Sequence, residues 1–278
     1  MRVALKIAYE GRSFHGFARQ PDQRTVEGEV AFALKKAGLV ADAESANLRG
    51  SSRTDARVSA VGNVVAFDTP VPEDGLVGRF NDAAKEVWAW AIAELPPEFD
   101  PRRARVRWYR YLLTGDHELA ALRKAAAEFP GTHDFASFAS PDADRTRRHI
   151  DAIDVSPADD GIVIDVRAPS FLRGMVRRIV SALLAVERGD ASPAVLRDAL
   201  RTGKGPDLGL ARPEPLILMD VDLGFPFRLA VDRAARERVR DRQTDTLATA
   251  RFWREAAARV AAPPSMNALP ASSLGTSY

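Results

Sequence analysis

Val3-Ala4-Leu5-Lys6-Ile7-Ala8-Tyr9 is the stretch from which the fold can be read. Val3, Leu5, Ile7 and Tyr9 alternate with smaller or polar residues, the period of two that marks a half-buried strand. The next segment has a helical period. Thr25 suits an N-cap, Glu27 and Glu29 suit the first turn, and Lys35 and Lys36 suit the last turn before Gly38. Val26, Val30, Ala33, Leu34 and Ala37 fall on one apolar stripe of that helix. Short strands are then expected near Ala46–Ser51 and Gly62–Asp68, a helix near Glu73–Lys85 and a strand over Val87–Glu94. The order is β-α-β-β-α-β.

The second half repeats this order loosely. Val106–Leu113 reads as a strand and His117–Phe129 as a helix. Arg148–Val155 and Ile162–Ala168 read as a hairpin around Asp159-Asp160-Gly161, because an Asp-Gly step favours a tight turn. Ser170 is the expected cap of a long helix from Phe171 to Glu187, ended by Gly189. A shorter helix near Ala194–Arg201 and a strand near Leu216–Leu223 complete the unit. Two such units predict an α+β fold of two ferredoxin-like β-α-β-β-α-β halves, residues 1–101 and 102–225, forming an extended antiparallel sheet with helices on one face. Phe227–Val260 is charged and Ala-rich, so residues 226–262 are expected to form a helical extension. Pro263–Tyr278 carries almost no large apolar residues and is expected to be a disordered tail.

The composition excludes several classes of function. At 278 residues and 46% apolar, the chain can build one large or two medium domains. No apolar run approaches the ~20 residues that span a bilayer, and no charged and apolar leader precedes the first strand, so neither a membrane nor a secretory route is expected. There are no cysteines. Disulfides, zinc–thiolate sites, iron–sulfur clusters and thiol nucleophiles are therefore excluded, and a cytoplasmic location is expected. His15, His117, His133 and His149 are scattered, with no pair at metal-ligand spacing on one helix. Gly203-Lys204-Gly205 lacks the upstream glycine of a P-loop, and no Gly-x-Ser-x-Gly elbow occurs. What remains is chemistry run by carboxylate, tyrosine and arginine with no cofactor.

A net charge of +2 gives no global field that would gather nucleic acid. The arginines are nevertheless clustered, within Arg102–Arg110, Arg145–Arg148, Arg173–Arg178 and Arg233–Arg242. The plain reading of any one cluster is a solvated face.

Ser51-Ser52-Arg53-Thr54-Asp55-Ala56-Arg57-Val58-Ser59-Ala60 lies between two expected strands, where a loop can present a reactive carboxylate from a rigid sheet. In isolation Arg-Thr-Asp is an ordinary surface turn, but further blocks accompany it in order. Ala4-Leu5-Lys6-Ile7-Ala8-Tyr9-Glu10-Gly11 leads to Phe14-His15-Gly16-Phe17 and Gln20. Thr25-Val26-Glu27-Gly28-Glu29, Val64-Val65-Ala66-Phe67-Asp68-Thr69 and Arg107-Trp108-Tyr109-Arg110-Tyr111 follow. Gly131-Thr132-His133-Asp134-Phe135 and Phe171-Leu172-Arg173-Gly174-Met175-Val176-Arg177-Arg178-Ile179-Val180 close the series. Across roughly residues 3–225 the chain resembles the TruA-type tRNA pseudouridine synthases. It departs from their Gly-Arg-Thr-Asp-Ala-Gly-Val-His-Ala loop at Ser52, Arg57 and Ser59, which stand where the family has Gly, Gly and His.

The resemblance implies an isomerase that converts uridine to pseudouridine on the 3′ side of the anticodon arm of tRNA, at positions 38–40, working as a homodimer around a central basic cleft. The N1–C1′ bond breaks, the uracil turns, and C5 rejoins C1′. No atoms enter or leave, so no cofactor is needed. Asp55 takes the place of the essential carboxylate. Attack at C1′, addition to the ring and removal of a sugar proton all stay open to it. Arg177 takes the place of the arginine that keeps this carboxylate charged in a cleft. Tyr109 corresponds to the tyrosine that stacks on the target base and offers a hydroxyl, and Arg53 is placed to fill the space that an extracted base leaves. Arg102, Arg173, Gln20 and Arg57 are the remaining candidate RNA contacts. Two other readings fit the same residues: a non-catalytic tRNA-binding relative, and a uridine isomerase acting on a different RNA site.

Overall fold

The computed structural model describes residues 1–230 and 232–261, with side chains described as far as residue 250. The expected tail, Pro263–Tyr278, lies outside the described residues. Met1–Asp232 forms one compact unit and a second begins at Arg233. The described part of that second unit is a single helix, α6 (Arg233–Ala261), whereas Arg228–Leu229, within the stretch expected to be helical, forms a short strand.

In the first unit the elements run β1 (Arg2–Tyr9), α1 (Val26–Lys36), β2 (Arg49–Gly50), β3 (Ser59–Asp68), α2 (Leu76–Ala83) and β4 (Val87–Leu95). They continue with β5 (Val106–Thr114), α3 (Leu119–Ala126), β6 (Gly131–Asp134), β7 (Arg147–Ile150), β8 (Ala152–Ala158) and β9 (Gly161–Ala168). The last are α4 (Met175–Glu187), α5 (Pro193–Thr202), β10 (Leu216–Asp222) and β11 (Arg228–Leu229). This is an α+β fold with one large, mostly antiparallel sheet in the order β11-β4-β1-β3-β10-β5-β9-β8, with β2 on β3. Taken half by half, both β4-β1-β3-β2 and β10-β5-β9-β8 run fourth, first, third, second. The halves join where β10 pairs with β3, Ile217 opposite Ser59 and Leu218 opposite Ala60, and this junction is parallel. The expected antiparallel sheet is corrected there. One edge of β3 pairs with β1, and the other serves two neighbours in turn, β10 at Ser59–Ala60 and β2 at Val65–Ala66.

Local chemistry explains where elements start. Thr25 Oγ1 accepts from Gly28 N at 3.3 Å, which satisfies a free donor of the first turn of α1. Val26, Val30, Ala33 and Leu34 are buried, so the amphipathic stripe does what its period implies. Three expectations fail, two for local reasons and one for a tertiary one. The strand expected over Ala46–Ser51 shrinks to Arg49–Gly50, because Asp42 Oδ1 accepts from Glu44 N and Ser45 N and draws the preceding residues into a turn. The helix expected from a Ser170 cap begins instead at Met175, after Gly174 takes the left-handed conformation at φ +72°. The strand expected over Arg148–Val155 is two strands. β7 pairs with β6 in a separate ribbon, while β8 pairs with β9. The hairpin around Asp159-Asp160-Gly161 forms as expected.

Helices α1 and α2 pack together, as do α3 and α4, with α2 on β4 and α3 on β8. The core runs continuously beneath both halves, from Val3, Leu5 and Ile7 through Phe67 and Phe80 to Ile164, Ile179 and Leu183. Lys6 and Asp220 pair across the seam, and the ammonium lies over the rings of Trp90 and Phe227 at 5.6 and 5.1 Å. No described helix is long and apolar enough to cross a membrane.

Candidate active site

The segment between β2 and β3 is held at almost every residue before it reaches Asp55. Ser51 N donates to Val64 O at 2.8 Å, and Ser51 Oγ donates to Pro101 O at 2.7 Å. Asn63 Nδ2 donates both to Ser52 O at 2.9 Å and to Tyr9 Oη at 3.0 Å. Tyr9 Oη in turn shares a hydrogen bond with Thr54 Oγ1 at 2.9 Å, and Thr54 O accepts from Phe17 N at 3.0 Å. Burial raises the pKa of Tyr9 to about 12 against the bonds from Thr54 and Asn63, so the hydroxyl stays protonated and the network neutral.

Arg107 is the largest single anchor. From β5 its buried guanidinium donates to Ser52 Oγ at 2.9 Å, Ser51 O at 3.0 Å and Arg102 O at 2.8 Å, and it also bonds Pro169 O. All its named partners are neutral, and burial pushes its pKa down from the ordinary arginine value. A cation buried among carbonyls is tolerated when its donors are filled, and its loss would free the loop.

Asp55 follows, 27% exposed at the side chain. Its Oδ2 accepts from Arg177 Nη1 at 2.9 Å, and the Arg177 side chain is only 13% exposed. Helix α4 positions that arginine. Met175, Val176, Ile179 and Leu183 bury one stripe, which leaves Arg177 on its flank with the guanidinium reaching beyond the packed stem. Arg177 Nε donates to Ala211 O at 2.7 Å, and Ala211 N donates back to Arg177 O at 3.2 Å. The guanidinium is therefore fixed on one side by backbone and presents its other edge to the carboxylate.

Tyr109, on β5, is 7% exposed and meets Phe171 edge-on at 5.2 Å between centroids. Burial pushes its pKa well above the ordinary tyrosine value, and the Asp55 carboxylate adds to that push while Arg107 opposes it. A hydroxyl so raised carries its proton at neutral pH, so it can donate a hydrogen bond but cannot act as a resting base. The adjacent same-face residue, Tyr111, is buried as well, and its pKa is raised by burial against Arg177 and Arg212.

The other residues singled out from sequence fall differently. Arg53 is exposed beside Asp55. Arg57 pairs through Nε with Glu214 Oε1 at 3.0 Å. Arg102 spends its guanidinium on Asp100, with contacts of 2.7 to 3.0 Å. Arg173 is 74% exposed and only 3.7 Å from an equally open Asp142. Gln20 Nε2 donates to His15 O at 2.9 Å. The structure thus joins Asp55 directly to Arg177 and places Tyr109 within reach of its charge. Among the described residues, no hydrogen bond or ion pair joins Arg102, Arg173 or Gln20 to that pair.

Sequence reading missed Arg107, Asn63 and Glu214. Arg107 had a usable signal, since it shares a strand face with Tyr109. Asn63 and Glu214 had none, because their partners are distant in the chain. Among the described residues no group of three metal-ligating side chains comes together.

Comparison with known proteins places the chain. A family model described as tRNA pseudouridine synthase matches residues 125–223. The tRNA pseudouridine synthase A of Thermococcus sibiricus is 41% identical over 244 residues, covering 85% of this chain and 92% of that protein. The tRNA pseudouridine synthase A of Methanococcoides burtonii is 42% identical over 250 residues, covering 87% and 91%. Among solved structures, a chain of a Cbf5-Nop10-Gar1 complex overlaps 64% of this chain and 54% of that one at 14% identity and a TM-score of 0.29, too low to bear on the fold. With two-fifths of its residues shared along nearly the whole length of such relatives, this chain belongs to the tRNA pseudouridine synthase A family.

Proposed function

We propose that this protein isomerises uridine to pseudouridine in the anticodon arm of tRNA, on its 3′ side, with Asp55 as the reacting carboxylate. The observation that carries the reading is the 2.9 Å ion pair between Asp55 and Arg177, two residues 122 positions apart that meet at the junction of the halves. The pair holds a partly exposed carboxylate in one orientation, from which it can act as nucleophile or base toward the ribose or the uracil. Tyr109 keeps a proton available next to that charge and has a ring of the kind on which an extracted base stacks, an interaction worth about 1–3 kcal/mol. Arg53, exposed next to Asp55, is suited to the space the base vacates, since extrusion costs a few kcal/mol that must be offset in the complex. Arg173 is the least committed of the candidate phosphate contacts, whereas Arg102 must release Asp100 to serve as one. Gln20 is a candidate polar contact from the opening loop.

The same reading takes residues 1–101 and 102–225 as ferredoxin-like halves, supported by their shared strand order. It takes the working form as a cytoplasmic homodimer, which light scattering of the purified chain tests.

The decisive experiment incubates wild type and Asp55→Asn with unmodified tRNA transcripts and maps pseudouridine chemically. Product in the anticodon arm from wild type alone is the expected result. Product elsewhere moves the specificity to another RNA site. No product with tight tRNA binding makes the protein a binding relative.

A further inference from the structure

The strained point of the site is Arg57. Val58 N donates to Asp55 O at 3.2 Å, so Asp55-Ala56-Arg57-Val58 is a hydrogen-bonded turn with Asp55 as its first residue. Arg57 is its third residue and lies at φ +69°, a left-handed conformation that glycine takes freely and that a side chain with a Cβ takes only under strain. The opening loop packs closely against the end of this turn: a Cβ at Gly11 would stand only 2.4 Å from Val58 C and O, so only glycine fits there.

Something must hold Arg57 in place, and Glu214 is its partner. The Arg57 side chain is 59% exposed, but the Glu214 side chain is only 11% exposed. Its own backbone N–H, and then Arg57 and Arg212, hold Glu214 below the usual carboxylate range, so it is ionised. Glu214 sits between Pro213 and Pro215, in a segment stiffened at both neighbours. That segment begins at Ala211, whose backbone exchanges two hydrogen bonds with Arg177. One short stretch of chain therefore grips the turn that starts at Asp55 and also the arginine that pairs with Asp55.

We propose that Glu214 is a positioning residue for Asp55: through its ion pair it keeps Arg57 left-handed, and through Ala211 its segment keeps Arg177 in register with the carboxylate. The inference rests on the reading of Asp55 and Arg177 as the working pair. It assigns Arg57 a geometric task in the free enzyme, separate from any RNA contact.

The test compares Arg57→Ala, Arg57→Gly and Glu214→Gln in turnover of unmodified tRNA transcript, with melting temperature followed for each. Alanine and glycine both delete the guanidinium, so KM should shift alike in the two. Only glycine removes the strain, so kcat of Arg57→Gly should exceed that of Arg57→Ala by about fivefold to tenfold. Glu214→Gln should lower kcat by a similar factor in the native chain, and by less than about twofold in the Arg57→Gly background. Equal kcat for the alanine and glycine variants, or an undiminished Glu214→Gln effect in the glycine background, overturns the proposal. Should Glu214→Gln fail to fold, the alanine–glycine pair alone decides. Asp55→Asn run alongside separates the two levels. If it keeps turnover, the working-pair reading fails; if it is dead while alanine equals glycine, only the positioning role fails.

Discussion

The two halves of the sheet place their strands in the same order but use the connection between the second and third strands in opposite ways. In the second half, β8 passes to β9 through Asp159 and Asp160 alone, and Gly161 takes the positive φ that the turn needs. In the first half, β2 passes to β3 through Ser51–Val58, a loop pinned by Arg107, Asn63, Tyr9 and Phe17 that ends in the carboxylate facing Arg177. The difference teaches that the fold supplies two equivalent connections, of which the proposed reading uses only one, the loop made rigid by its anchors. The second half contributes the remaining parts to that same place, Tyr109 from β5 and Arg177 from α4.

This contrast can be broken in graded ways. The largest effect should come from Asp55→Asn, which is expected to lower kcat by on the order of 10³-fold or more while tRNA affinity and melting temperature hold. Turnover within tenfold of wild type in a single-turnover assay would take the first-half loop out of the chemistry. Arg177→Met comes next, at roughly 10²-fold or more in kcat. It should also lower the melting temperature, because the bond to Ala211 O goes with the guanidinium, and an unchanged rate would reduce Arg177 to scaffold. Tyr109→Phe should cost about tenfold in kcat while KM moves less than about twofold, whereas parallel losses in both would mark the tyrosine as packing.

A smaller effect concerns pH. Tyr9 ionises near 10 in the unfolded chain and at about 12 in the fold, so above pH 10 the unfolded state sheds a proton that the folded state keeps. The stability that depends on Tyr9 is therefore complete below pH 10 and lost as pH rises toward 12, at no more than about 1.4 kcal/mol per pH unit. Denaturant titrations between about pH 9 and 11 should show that slope in wild type and a shallower one in Tyr9→Phe. The smallest effect belongs to the second-half turn. Asp159→Ala should leave stability within about 0.5 kcal/mol and kcat unaltered, and a clear loss of activity there would mean that both connections serve the reaction.

Legibility from sequence followed the range of the forces involved. The Thr25 cap, the α1 stripe and the Asp159-Asp160-Gly161 hairpin were readable because each depends on residues a few positions apart. The start of α4 was misplaced because Ser170 resembles a cap, while the backbone turned at Gly174. The Arg148–Val155 strand was misread because nothing in its pattern says that β7 takes β6 as partner and β8 takes β9. At the site, Asp55, Tyr109 and Arg177 were named through family resemblance, and their types and spacing alone would not have singled them out. Arg57 was read as an added charge facing RNA, and its pairing with Glu214 was invisible because the two residues are far apart in the chain.

By itself, then, the sequence determined the succession of elements and the absence of thiol chemistry, because periodicity, capping and composition act locally. Only the tertiary structure decided that β3 and β10 join in parallel, that Arg107 anchors the loop from another strand, and that Asp55 ends 2.9 Å from Arg177. Those outcomes depend on which distant surfaces pack together, and a buried charge or a strained turn finds its partner only once that packing has brought the two ends of the chain to the same point.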